Sequence, residues 1–346
     1  MLPDKSPSNT GKHSAARGRL AHATGGSAKA FLEKQHMGRF HNQRHVMPNT
    51  TRATLISLCG VWLAAWPAVA WAAPIVPDTV VWQEGVEYAN PDDQHLSLNI
   101  ARPKTEGDAA DGPFPAVVCI HGGGFRAGKR ESHNDLCIKL ATRGYVAATI
   151  SYRLAPRFQF PAAVHDTKAA VRWLRANAET FRIDPDRIGV TGSSAGGTLA
   201  QLLGVTGHVP RFEGDGGNAE QSSGVACVVN VHGANDFTKS YGRSVDAHEV
   251  LPLWFGGDLE AKRALHIQGS PLSWVTPDAA PTRCIHGSDD KNVAIEQSTW
   301  LVDRLTAAAV EADLVTLEGV GHGLKGPDLD RVHAATIEFF DRHLKR

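Results

Sequence analysis

Short β-rich runs recur along the chain, separated by segments whose apolar residues return every third or fourth position. The runs fall at residues 80–82, 96–101, 116–120, 146–152, 188–191, 225–231, 282–285 and 313–317. Several are almost wholly apolar, the pattern of strands covered on both faces. Between them, Val164, Val171 and Leu174 share a helical face, with Pro161 suited to the first turn. Leu301, Leu305 and Ala308 share another, and Val332, Ala335 and Phe339 a third. This alternation predicts an α/β fold with a mostly parallel, doubly wound sheet. The first two strands, joined by Ala89-Asn90-Pro91-Asp92-Asp93, are expected to form an antiparallel N-terminal edge hairpin. Two stretches break the pattern. Residues 211–223 are Gly-rich and polar, hence a loop. Residues 235–281 mix helical and turn signals and predict a small insertion, or cap, over one end of the sheet.

Composition changes the picture at the N-terminus. The chain has 346 residues, with 36 Lys+Arg against 36 Asp+Glu. That length suits one large domain with extras, and the zero balance gives no reason to expect a nucleic-acid partner. The charge is unevenly placed. Residues 1–72 hold nine Lys/Arg and two Asp/Glu, leaving 27 against 34 in the remainder. No charge occurs between Ala53 and Pro77, Arg52 precedes an apolar run at 55–66, and Ala70-Trp71-Ala72 offers a small–x–small cleavage pattern. These features read as a secretory signal (apolar region about 53–70) behind a disordered basic extension, cut after about Ala72. The signal fits a start at Met47 or Met37 better than at Met1. A retained membrane anchor is the alternative. Cleavage predicts a secreted or periplasmic domain over 73–346 with no stable membrane insertion. Cys119, Cys137, Cys227 and Cys284 would remain, none in a CxxC pair. Buried free thiols are expected, with one disulfide as the alternative.

Four loops carry candidate chemistry. Thr191-Gly192-Ser193-Ser194-Ala195-Gly196-Gly197 lies between a strand and a helical segment. It is a G-x-S-x-G turn, which lifts the Ser194 hydroxyl above a sheet at a helix N-terminus. His121-Gly122-Gly123-Gly124-Phe125 follows an earlier strand. Its glycines can turn N–H groups toward a developing oxyanion, each such donor being worth ~3–4 kcal/mol. The expected donors are the N–H groups of Gly123, Gly124 and Ala195. A phosphate loop is the weaker reading, because no Gly-Lys-Ser/Thr follows and Lys129 lies too far on. A serine nucleophile needs a base, and the base an orienting acid. The chain order serine, acid, histidine points to the loop 286–293, with Asp289 and Asp290, and to His322 in Gly319-Val320-Gly321-His322-Gly323. With 17 histidines in the chain, His322 is singled out by order alone, and His121, His232 and His286 read as structural.

Taken together, the region from about residue 80 onward resembles the α/β-hydrolase superfamily. It is similar to secreted esterases that include bacterial feruloyl and acetyl-xylan esterases, related to hormone-sensitive-lipase-like carboxylesterases. The matching stretches are residues 121–125, Ser151-Tyr152-Arg153-Leu154-Ala155-Pro156, Phe160-Pro161-Ala162-Ala163, Asp184-Pro185-Asp186-Arg187-Ile188, 192–197, 286–293 and Gly321-His322. The resemblance implies Ser194, Asp290 and His322 as a catalytic triad, with Asp289 a solvated neighbour. Two features depart from the lipase-like branch. Ser193 stands where that branch usually has Asp, and about 40 residues that read as strands replace its N-terminal helical cap. Phe125, Trp254 and Phe255 are candidate substrate-pocket residues, and Leu253 and Trp274 could join them. Packing of the insertion on the body is the competing role for the insertion's aromatic residues. Arg153, Asp166 and Asp236 read as loop-fixing charges.

The leading expectation is hydrolysis of short-chain, acetyl or feruloyl-type carboxylic esters through an acyl-enzyme. It needs no metal and no cofactor. The substrate would be a small-molecule or oligosaccharide ester. An amide or peptide hydrolase with the same triad is the alternative, and a non-catalytic binding protein on this fold a more distant one.

Overall fold

The computed structural model describes residues 73–105 and 112–345. The basic extension and signal expected in 1–72 lie outside the described residues. The elements run β1 (Val80–Ala89), β2 (Leu96–Pro103), β3 (Phe114–Ile120), α1 (Asn134–Ala141), β4 (Val146–Ile150), α2 (Ala162–Ala176), α3 (Ala178–Phe181) and β5 (Ile183–Ser193). There follow α4 (Ala195–Val205), β6 (Cys227–Val231), α5 (Ala247–Phe255), α6 (Leu259–Gly269), β7 (Thr282–Gly287), α7 (Glu296–Ala307), β8 (Ala312–Leu317) and α8 (Gly326–Leu344). The strands form one eight-stranded sheet in the order β1-β2-β4-β3-β5-β6-β7-β8. β1–β2 and β2–β4 are antiparallel, and every other pair is parallel. This is the expected α/β-hydrolase architecture, with an antiparallel edge at the N-terminal side.

The central strands are apolar because both faces are covered. Along β3, Ala116, Val118 and Ile120 face a core shared with α2 and α4, while Val117 and Cys119 face α1 and α8. β1 is longer than its apolar run. Gln83, Glu84 and Gly85 are exposed on an edge strand, and a register shift between Gln83 and Val86 absorbs them. β5 also starts early, at Ile183. Its Pro185 and Asp186 lie at the strand's exposed end, where the register with β3 shifts. Cys119, Cys137, Cys227 and Cys284 are all buried and free. Among the described residues, no helix is long and apolar enough to cross a membrane.

Two polar devices fix the irregular segments. Arg153, after β4, donates from Nε and Nη2 to the Asp166 carboxylate of α2, and Nη1 reaches Asp92 in the β1–β2 turn. The loop after α4 is held by cations from α2. Lys168 Nζ lies 2.8 Å from both the Thr206 carbonyl and Glu213 Oε1, and Arg172 Nη1 lies 2.8 Å from Glu213 Oε2. Both cations are buried although the helical pattern shows only an apolar stripe. Burial acts to raise the Glu213 carboxyl pKa, but Lys168, Ser223 and Arg172 outweigh it and hold the group below its ordinary value.

Replacing Glu213 with Ala leaves two buried cations without their carboxylate. Urea unfolding is expected to show a loss of roughly 3–5 kcal/mol, with unchanged turnover per folded molecule. The wild-type contribution is full above the unfolded carboxylate value of about 4.3. It fades as pH falls through the lower folded value. A stability difference that is equally large at pH 3 would refute this account.

Candidate active site

The C-terminal ends of β3, β5, β6, β7 and β8 converge on one place. Ser194 sits between β5 and α4 with φ 55° and ψ −123°, a conformation that L side chains rarely adopt. The turn is forced by close packing. A Cβ at Gly196 would lie 2.0 Å from the Ile120 carbonyl oxygen at the end of β3. The Ser194 N–H donates to the Val231 carbonyl at 2.9 Å, tying the turn to β6.

His322 lies in the loop between β8 and α8. Its Nε2 is 2.9 Å from Ser194 Oγ and its Nδ1 is 2.7 Å from Asp290 Oδ2. Asp290 is buried, and its Oδ1 accepts from the N–H groups of Asn292 and Val293, each at 2.9 Å. His286 Nε2 stands 3.4 Å from Oδ2. Burial acts to raise the Asp290 carboxyl pKa, but hydrogen bonds from His286, His322 and the Val293 N–H outweigh it. The carboxyl is held well below the usual range and stays ionised. Asp289 next to it is exposed.

The glycine loop after β3 passes beside Ser194. A Cβ on Gly122 would stand 3.2 Å from the Ser194 Cβ. Gly123 and Gly124 have φ of 114° and 60°. Among the described residues, the N–H groups of Gly123, Gly124 and Ala195 donate to no protein acceptor. His121 is structural: its ring stacks on Tyr152 at 4.3 Å.

Two hollows meet at Ser194 and His322. One is a cavity of about 80 Å³ with Phe125, Phe237, Val250 and Leu251 among its walls. The other is an open cleft of about 450 Å³ bordered by Arg126, Asp246, Asn292 and His232. Of the three candidate pocket aromatics, only Phe125 lines the cavity. Trp254 and Phe255 are fully buried behind the wall: Trp254 stacks on Phe125 at 3.7 Å, and both pack on Phe160 and Phe237. They lie one helical turn on from Val250 and Leu251 along the same buried face of α5, beyond the cavity, and seat that helix on the body. Sequence reasoning missed Phe237, Val250 and Leu251, whose only signal was membership of the insertion or its approach. Among the described residues, one group of possible metal ligands occurs, His232, Asp290 and His322, with ligand atoms within 4.8 Å of one another. A metal held there would compete with the Asp290–His322 hydrogen bond.

The BD-FAE family model matches residues 98–305. Esterase LipC of Mycobacterium tuberculosis is 30% identical over 296 residues, 81% of this chain and 72% of that protein. The chain spans less than half the length of several other curated relatives that it matches. A truncated carbohydrate esterase from gut microbiota superimposes with a TM-score of 0.69 at 26% identity, covering 78% of this chain and 98% of that one. Esterase 2 of Thermogutta terrifontis, phosphonylated by sarin, gives 0.67 at 25% identity, covering 78% and 96%.

The strain at residue 194 has a measurable consequence. Glycine adopts that backbone freely, so Ser194→Gly is expected to melt higher than Ser194→Ala, by on the order of 1 kcal/mol. A Ser194→Ala variant that melts higher than Ser194→Gly, as the smaller unfolded-state freedom of alanine alone would give, would mean that the turn stores no strain.

Proposed function

The chain belongs to the BD-FAE family and is a carboxylic ester hydrolase, and from that premise we propose that it acts as a serine esterase through an acyl-enzyme. The observation that carries the reading is the hydrogen-bonded line Asp290–His322–Ser194, with contacts of 2.7 and 2.9 Å. His322 Nε2 takes the Ser194 proton as Oγ attacks the ester carbonyl. Asp290 holds the ring through Nδ1 and stabilises the imidazolium that forms. The N–H groups of Gly123, Gly124 and Ala195 receive the oxyanion, aided by the N-terminus of α4. His322 then protonates the departing alcohol, activates a water, and returns the proton to Ser194 as the acid leaves. The sarin-phosphonylated neighbour has the reactivity expected of such a nucleophile, which supports the assignment.

The substrates are small esters, and we propose a short acyl group. The cavity beside Ser194 is small, with Phe125, Phe237 and Leu251 among its walls, while the cleft on the other side is wider and bordered by Arg126 and His232. That division fits a compact acyl group and a polar alcohol, such as an acetylated sugar. The likeness to a carbohydrate esterase supports the same class. We further propose that the enzyme is exported by a signal whose apolar region is about 53–70 and which is cut after about Ala72. N-terminal sequencing of the exported form should then begin near Ala73, and retention of 55–70 would favour an anchor.

Ser194→Ala is expected to lower kcat by roughly a thousandfold or more with the fold intact. Asp290→Asn should cost on the order of a thousandfold, while Asp289→Asn stays within a few-fold of wild type. A Ser194→Ala enzyme above about a hundredth of wild-type kcat would falsify the nucleophile.

On p-nitrophenyl esters, kcat/KM should be highest from acetyl to butyryl and fall steeply by decanoyl. Each added methylene needs apolar wall worth ~0.8 kcal/mol to be held. Higher activity on palmitoyl esters, with activation at an oil–water interface, would point to a lipase instead.

A further inference from the structure

Two hydrogen bonds hold the His322 ring along one line, from Asp290 through Nδ1 and Nε2 to Ser194. Both contacts act at ring nitrogens, at the edge of the imidazole, and neither bears on its face. The backbone of the loop that carries the ring is held by the Gly319 N–H on Ser288 Oγ at 2.8 Å and by the Asp289 N–H on the Val320 carbonyl at 3.0 Å, and 23% of the side chain is exposed. His232 does stand against it. The two ring centroids lie 4.3 Å apart with planes tilted by 31°.

The position of His232 is built with some care. It is the first residue beyond β6 and has φ 41°, in the left-handed region that a non-glycine residue adopts at a cost. Three hydrogen bonds impose that conformation. The His232 N–H donates to the Ile285 carbonyl, the Gly233 N–H donates to Asn230 Oδ1, and the Val231 carbonyl accepts from the Ser194 N–H, each at 2.9 Å. The ring itself makes no hydrogen bond with the described residues, so its polar atoms do not explain its place. Its face does.

We propose that His232 is a positioning residue, whose ring lies across one face of the His322 imidazole and fixes the plane in which that imidazole works. The inference rests on the triad reading above. Burial, and then the neighbouring His322 and His286, push the His232 pKa well below the ordinary histidine value, so the ring is neutral at working pH. A neutral plane restrains the imidazole in both of its charge states and adds no repulsion when His322 becomes cationic.

The test compares His232→Ala, His232→Leu and His232→Phe with wild type on p-nitrophenyl butyrate, with melting temperatures measured alongside. Alanine removes the face, leucine fills the space without a plane, and phenylalanine restores a plane that cannot titrate. Misplacement of a reacting group costs up to about a hundredfold. The alanine and leucine variants should therefore lose roughly ten- to a hundredfold in kcat with KM within about twofold. Phenylalanine should regain most of that loss at similar stability. Where alanine does not fold, the leucine–phenylalanine contrast carries the test. Full kcat in the leucine variant would overturn the proposal. So would a phenylalanine variant as slow as leucine, since the ring nitrogens would then matter. His322→Ala is measured beside them. If it is active, the triad reading itself fails. If it is inactive while the leucine variant is fully active, the triad stands and only the role of His232 falls.

Discussion

The contact on which the site depends is the approach of α4 to the end of β3. With no side chain at Gly196, the first turn of α4 rests against the Ile120 carbonyl, where a Cβ would stand 2.0 Å away. Ile120 is also the last residue before the glycine loop. One backbone contact therefore sets the spacing between the Ser194 hydroxyl and the N–H groups of Gly123 and Gly124. Pulled in against β3, the chain turns sharply out of β5, which is why Ser194 takes a strained backbone. The strain, the raised hydroxyl and the neighbouring donors have one cause.

The acid and the histidine are supplied differently. They ride on loops after β7 and β8, and their precision comes from hydrogen bonds made by the loops themselves. Asp290 is held from one side by two backbone N–H groups and from the other by His286 and His322. A buried carboxylate would otherwise resist ionisation. Here its partners keep it charged, and the charge in turn orients His322. Half of the site is thus fixed by packing and half by electrostatics.

Much of this was legible in the sequence because it is local. Strands covered on both faces are largely apolar, so β3, β4 and β6 stand out as runs. Ser194, Asp290 and His322 each lie just past a strand in short glycine-bearing loops, and order along the chain picks them out. What was not legible depends on distant partners. Lys168 and Arg172 look like solvent-facing charges until Glu213 and the carbonyls of a loop some forty residues on are folded over them. Trp254 and Phe255 look like pocket residues, because composition does not tell how far along the buried face of a helix a cavity reaches. His232 is one of 17 histidines, and nothing in its neighbours' identities reveals the ring opposite it.

The sheet edge has a consequence for how the enzyme fails. β8 is hydrogen-bonded to the sheet on one side only, and just its last residue, Leu317, is buried. His322 hangs from the loop that follows, 128 residues from Ser194 in the chain. Edge strands open before central ones. Fraying of β8 would withdraw the base while β3, β5 and the nucleophile turn stay in place. Heat inactivation would then begin as a local and reversible event, below the temperature at which the core melts. Engineering a longer working life would mean fastening this last strand, since a tighter core would leave the weakest joint unchanged.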